Sequence, residues 1–380
     1  MKLLYKFKTL LFASALLFAA IASKAQSNDD LLNVLIKKNL ISQQEADSLR
    51  SDAALKEQAK RDKDKANQHL ITTGSKLLQI SGLVQFRYQG FEQTSVNNAF
   101  DLHRARLIVQ GNVTDSWSYY TQTELGGAGV KLVDAYTAYK LADYLKLTAG
   151  QFKIPFSLES LTPDAQLEFI DRSQVVEALA GRSKDVIGNQ QGRDIGVQVS
   201  GNFVKLNDLY LFDYTLGVFN GAGYDVATDN NNHKDFGGRL GIHPIKNLDF
   251  GADLYKGKGI ATGATASQTR DRYGFDGRYV LGALSLNAEY DHGTDGIVKK
   301  DGWFAQAGYY IIPQLQVVAR YDTYDPNKVI RTDRANIYMG GVNILFNKYT
   351  RLALDYLDRR EETATQVKNN IFEAQLQVAF

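Results

Sequence analysis

The sequence predicts an all-β protein, an antiparallel transmembrane β-barrel of 16 strands. From Lys76 onward, the chain is built of segments of about ten residues in which apolar and polar residues alternate, the length that a tilted membrane strand needs. The connections between these segments are alternately very short and long. In the final segment, Phe372 and Leu376 lie on one face and Glu373 and Gln375 on the other. The apolar face is expected to contact lipid and the polar face water. This last strand is expected to pair with another strand rather than to remain an open edge.

Residues 1–25 have the pattern of a secretory signal peptide. Three lysines precede an apolar core from Leu10 to Ala22, and Ser23 and Ala25 supply the small residues of a cleavage site; a retained anchor helix is the alternative. The whole chain has a net charge of +2 and the signal contains four lysines and no acid, so the mature chain carries −2, which argues against a nucleic-acid partner. The chain has no Cys, which excludes disulfides and Cys-based metal sites.

Residues 26–75 are charged, almost free of aromatic residues and rich in helix formers. Leucines recur here at helical spacing, and Ser42 with Glu45 has the pattern of a capping box. The apolar face is thin, so this periplasmic helical segment is either a short coiled coil that trimerises or a solvated tether. The barrel is expected to occupy 76–380.

The barrel segments can be counted individually. Sixteen follow one another, the even number that a single-chain barrel with both ends in the periplasm requires. They lie near 76–90, 99–114, 116–126, 130–141, 143–152, 191–204, 207–219, 234–246, 248–259, 269–281, 283–292, 300–312, 313–325, 332–346, 348–360 and 367–380. Long polar connections are expected at 92–98, 222–233, 259–268, 293–299, 325–331 and 361–366, with very short turns between them.

One connection, 153–190, fits neither class because it runs for 38 residues without strand alternation. Loops of that length in compact structures are functional or disordered. This one contains Phe156, Leu167, Phe169 and Val176, apolar residues that favour burial. We therefore expect an ordered constriction loop with helical turns, folded into the barrel.

Four sequence motifs of the chain resemble the phosphate-selective porin O and P family. They are Phe100–Gly111 in the second strand, Gly150–Glu159 at the entrance to the long loop, Glu168–Ser173 within it and Gly192–Gly196 in the strand that returns from it. An N-terminal helical segment similar to 29–50 also precedes the barrel in many members. The resemblance implies a homotrimer of 16-stranded outer-membrane porins in which the third external loop narrows the pore.

The polar face of the strands is expected to line the pore. Arg104 and Arg106 share that face about 7 Å apart on one strand, near Arg87 on the next. Arginine suits phosphate because its planar fork donates two parallel hydrogen bonds. The predicted pore-lining and anion-binding residues are Arg87, Arg104, Arg106, Lys153, Arg172, Arg278 and Arg320.

Four acids of the long loop offer an alternative role for these arginines. They are Glu159, Asp164, Glu168 and Asp171. If they pair with the arginines they pin the loop, and the arginines are structural; both interpretations stay open at this stage. Four basic residues in or beside the loop likewise either line the constriction or are solvated at its surface: Lys153, Arg172, Arg182 and Lys184.

The inward charges are nearly balanced, so a general or mildly anion-preferring pore is expected rather than a strongly phosphate-selective one. The expected function is passive diffusion of small hydrophilic solutes, among them anions such as phosphate and polyphosphate, across the lipid of a bacterial outer membrane. The alternatives are a plugged structural or binding barrel and, third, a barrel enzyme. The five His lack metal-ligand spacing and the chain lacks a G-x-S-x-G motif, so no enzyme activity, metal or cofactor is expected.

Overall fold

The computed structural model describes residues 36–38, 77–127, 129–182, 191–226, 228–229, 231–260, 264–363 and 367–380. The chain divides into two compact units, residues 1–60 and 61–380. In the first, Ile36 and Lys37 are helical and Lys38 lies in a turn. The predicted signal peptide and the rest of the predicted helical segment lie outside the described residues. Among the described helices, none is long and apolar enough to cross a membrane.

The second unit contains a closed antiparallel barrel of 16 strands, which confirms the predicted fold class. The strands are β1 Gln79–Phe91, β2 Ala99–Asn112, β3 Trp117–Glu124, β4 Lys131–Ala142, β5 Leu145–Lys153, β6 Arg193–Leu206, β7 Leu209–Phe219, β8 Asp235–Ile245, β9 Leu248–Gly259, β10 Gln268–Leu281, β11 Leu284–Asp295, β12 Val298–Ile312, β13 Leu315–Asp325, β14 Ala335–Leu345, β15 Thr350–Glu361 and β16 Ile371–Ala379. Each strand pairs with its sequence neighbour, and β16 closes the barrel on β1, with Val84 opposite Val378.

The two faces of the wall have the burial that a membrane barrel requires. On β1, the outward Val84 and Phe86 are 40% and 44% exposed, whereas the inward Gln85 between them is 1% exposed. A soluble protein would show the opposite distribution, because apolar side chains would be covered. The outer face is therefore the lipid-facing surface, and the inner face is polar.

Aromatic side chains stack on the outer face near both ends of the barrel. Trp303 and Tyr321 have ring centroids 5.0 Å apart, and Tyr321 and Tyr338 are 5.1 Å apart, near the end that carries the long loops. Trp117 and Tyr139 lie 4.9 Å apart near the end that carries the short turns. Paired rings at these levels match the aromatic belts that membrane proteins place at the lipid–water boundaries.

One predicted long connection is wrong. The expected loop 293–299 is a turn of two residues, Gly296 and Ile297, because β11 continues to Asp295 and β12 already begins at Val298. Gly293 and Asp295 remain in register with β10, and Gly296 adopts a φ of 60°, a left-handed conformation that glycine adopts without strain.

The connection between β5 and β6, residues 154–192, is the lumen loop. It contains helix α1 Leu158–Leu161, a 3₁₀ turn Asp164–Gln166 and helix α2 Gln174–Leu179. The hydroxyls of Ser157 and Ser173 cap the two helices. The predicted ordered loop with helical turns is therefore present, and its residues 183–190 lie outside the described part.

An apolar cluster holds α2 inside the barrel. Val175, Val176 and Leu179 are at most 1% exposed. They pack with inward side chains of the wall and with neighbouring loop residues, namely Phe152, Ile154, Phe156, Ala178, Ala180, Phe219, Tyr255 and Phe304. Two glycines allow this close approach: a Cβ on Gly302 would lie 3.0 Å from Val175, and one on Gly293 would lie 2.8 Å from Leu179. The long loop is thus folded into the lumen.

Candidate functional site

A β-bulge in β2 brings several charged side chains of that strand to the lumen. The pairing of β1 with β2 shifts between Gln85 and Phe86, so that Gln85 faces Arg104 while Phe86 faces Leu102. His103 is the additional residue. Because a bulge reverses the alternation, Asp101 on one side of it and Arg104 on the other both face inward.

Asp164 of the lumen loop lies among three arginines. Arg106 and Arg172 bond its two carboxylate oxygens, and Nε of Arg104 lies 3.4 Å from Oδ1. The Asp164 side chain is 2% exposed. Burial alone would raise its pKa, but the charges of Arg104, Arg172 and Arg106 outweigh burial and hold the pKa well below its ordinary value.

Each of these arginines has a second anchor that does not involve Asp164. Arg104 donates to the Gln85 amide oxygen at 2.8 Å, and Arg106 donates to Glu124 at 2.8 Å. Arg172 donates to the carbonyls of Glu159 and Thr162 at 3.0 and 2.7 Å. The three guanidinium groups are therefore fixed in position by the strands and by the loop backbone.

Arg87 belongs to a separate ionic group on the neighbouring strand. Its guanidinium lies 2.7 Å from Asp101, 3.3 Å from Asp171 of the lumen loop and 3.6 Å from Glu373 of β16. His103 lies 3.5 Å from Asp171. Three acids thus surround this one arginine, which makes the group acidic overall.

The other two predicted loop acids bind different partners. Glu159 pairs with Arg320, which stacks between the rings of Phe169 and Phe304 at 4.9 and 4.8 Å. Glu168 accepts hydrogen bonds from the neutral side chains of β11, β12 and β13. These donors are Ser285, Gln306 and Gln316, each at 2.6 Å.

Two of the predicted residues are held by partners other than Asp164. The Lys153 ammonium group donates to the carbonyls of Ser160, Leu161 and Thr162 at 2.8, 3.0 and 3.2 Å, at the C-terminal end of α1. These three bonds use its three N–H groups, so we exclude Lys153 from the anion site. Arg278 pairs with Asp249 at 2.8 Å near the short-turn end of β10, away from the lumen loop.

Further contacts join the loop to the opposite wall. The backbone N–H of Ile170 donates to Asp355 of β15, and that of Gln174 donates to Asp322 of β13, both at 2.8 Å. Gln377 of β16 donates to the Ala165 carbonyl at 3.1 Å. The loop therefore contacts strands on both sides of the lumen and narrows it.

A cavity of about 470 Å³ lies against the three arginines that surround Asp164. Seven basic side chains line it: Arg87, Arg104, Arg106, Lys131, Arg172, Arg182 and Arg359. Five acids do so as well: Glu124, Asp171, Glu177, Asp322 and Glu373. Lys131 and Arg359 were not predicted from the sequence as site residues, and Arg182 was expected in or beside the loop with its role left open. Strand alternation offered a signal for Arg359 alone, since it follows the inward Asp355 and Leu357 by even steps.

No metal centre is found in this part of the molecule. Among the described residues, no three His, Asp or Glu side chains are arranged to hold a metal ion. The chemistry of the lumen is that of arginine forks, carboxylates and amides, which bind solutes by hydrogen bonds and charge.

A closed 16-stranded barrel with an apolar outer wall, and with a loop folded into a charged lumen, defines the class of outer-membrane porins. Residues 79–380 match the family described as phosphate-selective porin O and P. The chain belongs to this family and is an outer-membrane channel protein for small solutes. A comparison with curated proteins found no match.

Solved structures show the same fold at low sequence identity. The anion-selective porin from Comamonas acidovorans is similar with a TM-score of 0.61 and 14% identity, over 80% of this chain and 99% of that chain. OmpT of Vibrio cholerae, in its trimer form, gives 0.57 and 12%, over 80% and 99%. Salmonella typhi OmpF in complex with daunomycin gives 0.59 and 13%, over 80% and 97%.

Proposed function

We propose that this protein is a passive pore, not an enzyme, and that it passes small hydrophilic solutes with a mild preference for anions such as phosphate and polyphosphate. The observation that carries the proposal is the cavity of about 470 Å³ with seven basic and five acidic side chains in its lining. Rings of Arg or Lys favour anions in a pore, and rings of Asp or Glu favour cations. The small basic excess supports a weak anion preference rather than a strong one.

The comparisons support a preference for anions. The family's description is phosphate-selective, and the Comamonas acidovorans porin of similar fold is described as anion-selective. Within the cavity, Arg104 and Arg106 are the residues we assign to anion contact, with Arg172 on the loop side. Arg87 is surrounded by acids, and Arg320 is covered by two aromatic rings, so we assign both to positioning the loop.

The proposal also includes the oligomeric state and the roles of the N-terminal residues. OmpT of Vibrio cholerae is described in a trimer form, which supports a homotrimer for this chain in contact with outer-membrane lipid. We propose that residues 1–25 direct export and that 26–75 form a periplasmic helical segment before the barrel.

A second function, a plugged barrel with little conduction, is favoured by a different observation. The lumen loop contacts strands on both sides of the lumen, and α2 is packed into an apolar cluster rather than lying loosely in water. A loop held in this way obstructs the lumen until it moves.

The test is the reversal potential of the refolded protein in a planar bilayer under a KCl gradient, followed by addition of phosphate. We expect a potential that shows Cl⁻ preference and a current that phosphate reduces. Arg104→Gln and Arg106→Gln should each weaken that block. The matched control is Arg360→Gln, which removes one positive charge from an exposed side chain outside the cavity.

The possible outcomes separate the two functions. A zero or cation-selective potential would overturn the anion preference and leave a general porin. A folded, heat-modifiable protein that forms no channels would overturn the transport proposal and favour the plugged barrel.

A further inference from the structure

We propose that Arg104, Arg106 and Arg172 form a binding site for one oxyanion of the size of phosphate, and that Asp164 of the lumen loop occupies this site as an internal substitute for the solute. This inference rests on the proposed anion preference and adds to it a competition between the loop and the solute. The solute chemistry is a compact oxyanion, because the arginines point their donors at two oxygens of a single carboxylate.

The first support is that the site keeps its shape without Asp164. Each of the three arginines is held by another acceptor, namely Gln85, Glu124, or the carbonyls of Glu159 and Thr162. A site whose ligands are fixed in advance loses little conformational entropy when it binds. An anion that replaces the carboxylate therefore finds the donors already in place.

The second support is charge. Three guanidinium groups converge on Asp164, and Glu124 is the additional acid bonded to Arg106. Glu124 is also held by the backbone N–H groups of Ala105 and Gly126 at 2.7 and 3.0 Å, so it belongs to the wall. Three positive charges face two negative ones, and this small excess favours a second anion near the site.

The third support is access. All three arginines line the cavity of about 470 Å³. The side chains of Arg104 and Arg106 are 13% and 7% exposed, so a solute in the cavity meets these two first, whereas Arg172, 0% exposed, becomes accessible as Asp164 leaves. Asp164 approaches from the other direction, as the first residue of the 3₁₀ turn of the lumen loop. A solute anion that takes the arginines therefore removes a bond that holds the loop, and anion binding loosens the turn 164–166.

The neighbouring loop acid Asp171 provides a matched control. It also pairs with a strand arginine, and its loss removes the same charge from the lumen. Arg87 nevertheless retains Asp101 and Glu373 when Asp171 is absent, so no vacant group of donors is created. Asp164→Asn and Asp171→Asn thus differ in whether they free an oxyanion site.

The experiment is calorimetric titration of inorganic phosphate into the refolded full-length protein in detergent at fixed ionic strength. We expect Asp164→Asn to bind phosphate at least tenfold more tightly than the unmodified protein, because the competing carboxylate is gone. Asp171→Asn should change the affinity by no more than twofold, the effect of one lost charge nearby. The double variant Asp164→Asn with Arg104→Gln should lose the gain.

Equal effects of the two Asn variants, or no effect of Asp164→Asn, would overturn the proposal and leave Asp164 as a pin of the loop. If Asp164→Asn fails to fold, hydrogen exchange of the unmodified protein decides. Phosphate should accelerate exchange in residues 162–167 relative to chloride at the same ionic strength, and unchanged exchange would overturn the competition. Neither the phosphate titration nor hydrogen exchange depends on ion current. A bilayer experiment without anion preference would therefore reject the proposed selectivity of the pore, whereas the titration and the exchange rates decide whether this oxyanion site exists.

Discussion

Replacement of Leu179 by Ala tests how firmly the lumen loop is held inside the barrel. Leu179 is 1% exposed within the apolar cluster, and its side chain rests against the bare backbone of Gly293. Leucine-to-alanine changes in closed cores cost about 2–5 kcal/mol. About 3 kcal/mol corresponds to roughly a 100-fold change in an equilibrium constant, so the ratio of docked to released loop should fall by about that factor.

Two measurements report the ratio of docked to released loop. The first is the rate of proteolytic cleavage within the lumen loop of the refolded barrel in detergent, which should rise strongly. The second is the single-channel record, which should show more frequent or larger openings. Leu376→Ala is the control, because Leu376 is 42% exposed on the outer face of β16 and leaves no internal cavity.

The barrel itself should remain closed in this variant, because its strands are paired independently of α2. Heat-modifiable migration on a gel should therefore be unchanged. An unchanged cleavage rate together with unchanged conductance would refute the reasoning, since it would show that the apolar cluster does not control the position of the loop.

Three further predictions concern the wall and the ionic groups. Phe275→Arg, on the outward face of β10, should lower the free energy of unfolding in lipid by about 2–4 kcal/mol, measured by urea titration, whereas Phe275→Leu should cost far less. Arg320→Met should cost about 3–5 kcal/mol in the same titration because Glu159 loses its buried cation, and adding Glu159→Gln should restore part of the loss. Because the pKa of Asp164 is depressed, its contribution to stability is present above its ordinary value of about 3.9 and is lost only as pH falls through the depressed value. The difference in unfolding free energy between Asp164→Asn and the unmodified protein should therefore be constant from about pH 8 to about pH 5 and shrink in stronger acid.

The strand pattern could be predicted from the sequence because alternation is a local property. A strand such as β10 shows its period of two in the order Tyr273, Phe275 against Arg272, Asp276, whatever its neighbours are. The inward position of the lumen loop was likewise predictable, since a long segment rich in apolar residues has to bury them.

The partners within the lumen were less predictable because they depend on the path of the loop. The charge of Lys153 gives no sign that its ammonium group caps α1, since the three carbonyls that it bonds belong to the backbone of the turn. Glu168 has neutral partners contributed by three strands that are more than 100 residues away in sequence. The short turn at Gly296 was missed because Gly293 and Thr294 have the composition of a loop while they occupy strand positions.

The barrel closes along a seam between β1 and β16, strands that lie at opposite ends of the described barrel chain. The lumen loop bonds both sides of this seam, through Arg106 of β2 and through Gln377 of β16 and Asp355 of β15. Asp164 and Ala165, adjacent in the loop, thus bind β2 and β16, two strands that flank β1 only once the ring is complete. Contacts between such distant parts of a chain form slowly. We therefore expect the loop to dock after the ring has closed, and the docked loop then links the two sides of the seam from inside the barrel.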